Sequence, residues 1–205
     1  IKPKDLTADK ISDAVMDSLL QADEDAVWVI QAWHANPSTE LLNGIAPYDA
    51  KDERSQRRIE HTLILDLTGI GIGDLIPKWD SKHYEHETEG VTNLNEEQFN
   101  RTPWVLGLLE SYGGNPSMDG RLLEMVTEYG RAANNNLGGK NFFTGIGMLS
   151  EGTLDNPVVY NLFYDLPWVD PSKLDTEDAC KTWLNSWLDK YLGSRYNTSD
   201  IKSSQ

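Results

Sequence analysis

The sequence is poor in cysteine, in positive charge and in long apolar runs. Its one cysteine, Cys180, excludes an intrachain disulfide and leaves the redox compartment open. Eighteen Lys and Arg stand against 33 Asp and Glu, a formal net charge of −15. Such a field repels phosphate backbones, which argues against nucleic acid as a partner. No apolar run approaches the ~18 residues of a membrane span. The opening Ile1-Lys2-Pro3-Lys4 has neither an initiating Met nor an apolar leader, and a chain that starts mid-protein or has been processed is expected. What the sequence does have is a core. Seven Trp, eight Tyr and four Phe within 205 residues argue against wholesale disorder, and the length allows one large domain or one and a half small ones. Two sequons, Asn100-Arg101-Thr102 and Asn197-Thr198-Ser199, matter only in a secreted protein.

Read in order, helical spacing alternates with short β-rich runs. Thr7 is the expected cap of a first helix, with Asp9 in its first turn; Ile11, Val15 and Leu19 at four-residue spacing, joined by Ala14 and Met16, predict an amphipathic helix to about Gln21. Ala26-Val27-Trp28-Val29-Ile30-Gln31-Ala32-Trp33 reads as a strand buried on both faces, the mark of a parallel sheet. Ser38 opens a second helical stretch, and residues 52–59 predict a charged helix on an outer surface. His61-Thr62-Leu63-Ile64-Leu65-Asp66-Leu67 is the second strand. Gly69, Gly71 and Gly73 follow it, but the third glycine of a dinucleotide turn and the helix after it are missing, so no nucleotide site is expected. Residues 80–98 are acidic and aperiodic, a long loop. His83 and His86 beside Glu85 and Glu87 have metal-ligand chemistry, yet read as a solvated charge run; no metal and no cofactor are expected.

The third strand spans residues 103–109, and after it an aromatic, two glycines and an amide cluster at Tyr112-Gly113-Gly114-Asn115, which suits a sugar-sized ligand. A helix over residues 118–133 follows. The stretch from Asn141 to Tyr160 organises the rest: an apolar strand from Phe142 to Ile146, Gly147, a lone Glu151, then a helix from about Asn156. In a parallel α/β protein that order sets the carboxylate at the C-terminal mouth of a strand, where ligands bind. Many such turns also carry a solvated Glu without a role. A final helix, capped by Asp175, should bury Cys180, Trp183, Leu184, Trp187, Leu188 and Tyr191. Strand-helix units of fifty residues or fewer fit part of an eight-stranded barrel or a small doubly wound sheet.

Several segments together resemble the α-N-acetylglucosaminidases, glycoside hydrolase family 89. Residues 26–33 look like the family's AVW-(apolar)₂-QGW strand, and residues 61–67 are similar to its LLVLDL strand. Leu109 to Asn115 and Gly145-Ile146-Gly147-Met148-Leu149-Ser150-Glu151-Gly152 resemble its L-x-N-(F/Y)-G-G-N and G-(T/I)-G-(M/I)-x-P-E-G pair; Asn156 to Tyr160 and Arg195-Tyr196 also fit. The likeness runs in order from Ala26 to Tyr196.

The resemblance implies the C-terminal half of a (β/α)₈ barrel over residues 1–170, and a C-terminal helix and tail over 171–205. It implies removal of terminal α-linked N-acetylglucosamine with retention, which needs two carboxylates about 5–5.5 Å apart. Glu151 matches the nucleophile. Trp33, Leu109 and Tyr112 match walls of the sugar pocket, and Asp66 is expected to orient a neighbour from behind it. The family's acid/base Glu belongs to an Asn-Glu pair with no match here, since Asn95-Glu96 lies in the loop after the wrong strand. The expected partners are a glycan ending in α-N-acetylglucosamine and the N-terminal half of the barrel, in a lysosomal or extracellular setting. The natural glycan, heparan sulfate or mucin among others, stays open. So does a second reading, a non-catalytic carbohydrate-binding module on a half-barrel scaffold.

Overall fold

A computed structural model of the protein describes residues 6–32, 37–47, 50–70, 102–110, 122–134, 142–150 and 156–193. Its frame is a four-stranded parallel sheet: β1 (Trp28–Ala32), β2 (Thr62–Ile70), β3 (Trp104–Glu110) and β4 (Phe143–Ser150), adjacent in that order. The strand order never reverses, so among the described strands there is no switch point of the doubly wound kind. Strands that pair in sequence order, backed by helices, form the wall of a barrel.

Helices α1 (Ala8–Ala22), α2 (Thr39–Ile45) and α3 (Glu53–Glu60) precede or separate the first two strands. The buried face of α1 keeps only Met16 of the apolar stripe in full. Ser12 and Met16 are buried, whereas Ile11 is 47% exposed and Val15 37%. The cause is the close approach of α2. A Cβ at Gly44 would lie 2.0 Å from the Asp9 carbonyl oxygen, and the Ser12 hydroxyl donates to the Leu41 carbonyl at 2.6 Å. A small polar side chain fits that contact, and a branched one does not. Helix α3 is charged as expected, but one of its charges, Arg58, is buried.

Helices α4 (Leu122–Asn134), α5 (Pro157–Asp165) and α6 (Glu177–Gly193) complete the described structure, with 3-10 turns at Leu166–Trp168 and Pro171–Leu174 between the last two. Asn156 caps α5, its side chain accepting from the Val158 amide at 3.0 Å, and Pro157 occupies the first turn, where a missing N–H costs nothing. The cap of α6 is Thr176 rather than Asp175: the Thr176 hydroxyl accepts from the Ala179 amide at 3.2 Å. Cys180, Leu184 and Trp187 of α6 are buried in the same core as the sheet. Trp187 also donates to Asp165 at 2.8 Å and stacks on Tyr191.

The core lies between the helices and one face of the sheet. Ile64, Trp104, Leu106 and Leu108 pack there with Met125, Val126 and Tyr129 of α4 and with Val159, Leu162 and Phe163 of α5. Phe143 joins the layers, its ring 5.1 Å from Trp104 and 5.9 Å from Tyr129. The opposite face is another matter. Strand β1, expected to be buried on both sides, alternates instead: Val29 is 47% exposed, and Gln31 is exposed as well. Apolar sequence on both faces reflects a sheet with two sides to cover; among the described helices only one side has its cover.

Candidate functional site

Parallel strands send all their C-terminal ends to one edge of the sheet. β1 ends at Ala32, β3 at Glu110 and β4 at Ser150, with Glu110 and Ser150 directly opposite each other. The candidate nucleophile Glu151 is the next residue in sequence after Ser150, Trp33 the next after Ala32, and Tyr112 the second after Glu110. These three positions lie outside the described residues, as do His83, His86 and the acidic stretch of residues 80–98. The strand ends that lead into Glu151, Trp33 and Tyr112 are therefore described, and their side chains are not. Leu109 is placed within β3, its backbone opposite Leu149.

Asp66 is described in full. It is 5% exposed and stands level with Ala32 on one side and Leu106 on the other. Alternation gives it the same face as Ile64 and Leu106, the side covered by helices. Its side chain therefore reaches the barrel wall from behind rather than from the open face. Immediately beyond it the ladder is irregular: β2 advances from Asp66 to Ile70 while β3 advances only from Leu106 to Leu108. Gly107 makes this possible, because a Cβ there would lie 2.2 Å from the Asp66 carbonyl oxygen. Irregular ladders of this kind are frequent beside active sites, where they redirect the strand end.

The open face of the sheet carries one feature that the sequence hid. Gln31, Leu65, Val105 and Gly145 form one row across the four strands. In the sequence Gln31 is one polar residue in an apolar run, and only its register shows which face it occupies. Among the described residues, no group of three His, Cys, Asp or Glu is placed to hold a metal ion, and no helix is long and apolar enough to cross a membrane.

A sequentially paired parallel sheet, helix-backed on one side, is the arrangement of a segment of a TIM-type barrel. The chain belongs to the α-N-acetylglucosaminidase (NAGLU) tim-barrel domain family, whose model matches residues 2–170. Two solved structures resemble it closely in fold. One is a family 89 glycoside hydrolase from Clostridium perfringens in complex with PUGNAc, 26% identical over 92% of this chain, with a TM-score of 0.57. The other is a family 89 glycoside hydrolase from Clostridium perfringens in complex with 2-acetamido-1,2-dideoxynojirmycin, 25% identical over 94% of this chain, with a TM-score of 0.62. This chain spans 17% of the length of each of those solved chains. No curated protein matches it.

Proposed function

We propose that this segment supplies part of the catalytic barrel of a retaining exo-α-N-acetylglucosaminidase. The observation that carries the reading is the end of β4 at Ser150, directly before the Glu151 of the family-like motif, in a chain of that family. In this reading Glu151 attacks the anomeric carbon of a terminal α-linked N-acetylglucosamine. The leaving oxygen takes its proton from a second carboxyl group contributed by sequence outside this chain. The resulting glycosyl ester is hydrolysed by water, with the same second group acting as base. Trp33 and Tyr112 offer aromatic faces to the C–H face of the pyranose, Leu109 forms wall, and Asp66 steadies the strand end from the helix side. Neither a metal nor an organic cofactor enters these steps. The reading also takes residues 171–205 as the start of a helical region after the barrel.

The test is Glu151→Gln in the protein expressed from its full reading frame, assayed on an aryl α-N-acetylglucosaminide. We expect turnover to fall by 10⁴-fold or more, on the order seen when a covalent nucleophile is removed, with N-acetylglucosamine still bound. Near wild-type turnover refutes the assignment of Glu151. Sugar binding by the unsubstituted protein with no turnover of any glycoside favours the carbohydrate-binding module instead.

A further inference from the structure

One described side chain on the open face of the sheet stands at the height of the proposed chemistry. Strand β4 turns Ile146 and Met148 toward the helix side, where both pack against the core. The residues between them take the other face. A Cβ at Gly147 would come 3.2 Å from a methyl of Val105, which alternates away from Trp104 and Leu106 in the core. Leu149 follows Gly147 by two and so shares that face, half-buried, its backbone level with Leu109. It is the last open-face residue of β4. Glu151 is two residues on in the sequence, about 7 Å along an extended chain.

A branched aliphatic side chain at that height has few complements on a sugar. A hydroxyl set against it without a hydrogen-bond partner loses its water at a cost, so the position suits an apolar group. A terminal N-acetylglucosamine offers two kinds. The C–H faces of its ring are matched by flat aromatic rings, and its acetamido methyl by an aliphatic side chain. Trp33 and Tyr112 serve the first in the reading above. We propose that Leu149 is a specificity-determining residue of the sugar pocket, the wall against which the acetamido methyl of the terminal sugar packs. This rests on the glycosidase reading and adds to it the contact that limits the size of the N-acyl group. In the sequence Leu149 is one more apolar residue in a strand, and only its register shows the face and the height it occupies.

The test measures kcat/KM for two aryl α-glucosaminides, one N-acetylated and one N-propanoylated, with each protein expressed from the full reading frame. The ratio of the two is the readout, because a variant that folds only in part lowers both rates alike. One methylene against an apolar wall changes discrimination by about 10- to 200-fold. Leu149→Ala should therefore raise the N-propanoyl to N-acetyl ratio by about tenfold or more, and Leu149→Phe should lower it. Leu65→Ala is the control, the same residue type on the same face but level with Val105 and, beyond it, Gly145; its ratio should stay that of the unsubstituted protein. Leu149→Val makes a smaller cut and should move the ratio in the same direction, which decides the matter if the Ala variant does not fold. A ratio that ignores residue 149 overturns the proposal. So does an equal rise in Leu65→Ala, since loosening of the sheet would then account for both. If the unsubstituted protein turns over neither glycoside, it is the glycosidase reading that fails; turnover with an unmoved ratio refutes this inference alone.

Discussion

Two buried charges set the chemistry of single residues here, and they behave in opposite ways. Arg58 is 4% exposed, and both of its terminal nitrogens are paired: Nη1 donates to Asp13 at 2.8 Å and to the Gly44 and Ile45 carbonyls, while Nη2 donates to the Asp13 carbonyl and to Asp17 at 2.5 Å. One guanidinium thus ties α3 to both α1 and α2. Asp13 and Asp17 are about half exposed, so they rehydrate when the cation is removed, whereas the buried carbonyls do not. Arg58→Met should therefore cost about 2–3 kcal/mol, and Asp17→Asn less than about 1 kcal/mol, read from urea midpoints at a constant m-value. Glu128 on α4 is the contrasting case. It is 5% exposed, Oε1 accepts from Arg131 at 2.6 Å, and Oε2 has no hydrogen-bond partner among the described residues. Burial pushes its carboxyl up to about 7 from an ordinary 4.5, with Arg131 opposing and Glu124 adding to the rise. Because the folded pKa is raised, the folded state holds a proton that the unfolded chain releases near 4.5. Stability from this group is complete below pH 4.5, declines from there to pH 7, and is flat above, by at most about 3 kcal/mol. Glu128→Gln should abolish that slope in melts from pH 4.5 to 7.5; an unchanged slope would assign it elsewhere. Neither burial was legible in the sequence, because a charge on an exposed-looking helix carries no mark of what packs over it.

At the scale of the elements, the sequence was most informative where hydrophobic runs were longest. All four described strands were legible, and so was their parallel pairing, since each run is apolar on both sides and is followed by a helical segment. What periodicity missed was detail set by neighbours. The Ile11 and Val15 stripe of α1 gave way to Ser12 because the backbone of α2 comes too close for a branched chain, and the α6 cap moved by one residue to Thr176. Glycine is where the elements make their sharpest prediction. Gly107→Ala sets a methyl 2.2 Å from the Asp66 carbonyl oxygen, backbone against backbone, in the middle of the sheet. Nothing there can move without breaking the irregular stretch of the β2–β3 ladder, so a loss of about 3 kcal/mol or more is expected. Gly145→Ala, one strand away, meets nothing within 4 Å. It should be neutral, or stabilising by about 0.5 kcal/mol through reduced freedom of the unfolded chain. Chemical denaturation of the two variants side by side checks the pair: equal losses would contradict the geometry at both positions.

The described residues form a wall rather than a closed barrel, and that shapes both what was legible and how the chain should behave. The candidate site was readable as motifs at strand ends, because a barrel collects its chemistry at one edge whatever the intervening sequence. The acid/base Glu that the family resemblance calls for was not readable, since the one Asn-Glu pair, Asn95-Glu96, lies in the loop after the wrong strand. The open face has a physical consequence of its own. Among the described strands, β1 and β4 are unpaired edges, and Val27 and Val29 beside the first edge are 49% and 47% exposed. An apolar face next to a free ladder edge is a template for pairing with another chain. The net charge of −15 opposes such pairing by long-range repulsion, but salt at 0.15 M confines that repulsion to a Debye length of about 8 Å. Contact at the edge should therefore win as ionic strength rises. Sedimentation of the 205-residue chain should show mass growing with concentration and with salt, and Val29→Lys, which puts a charge on the open face, should reverse the trend. A chain that remains monomeric at high salt would mean that this face is already covered from within the molecule.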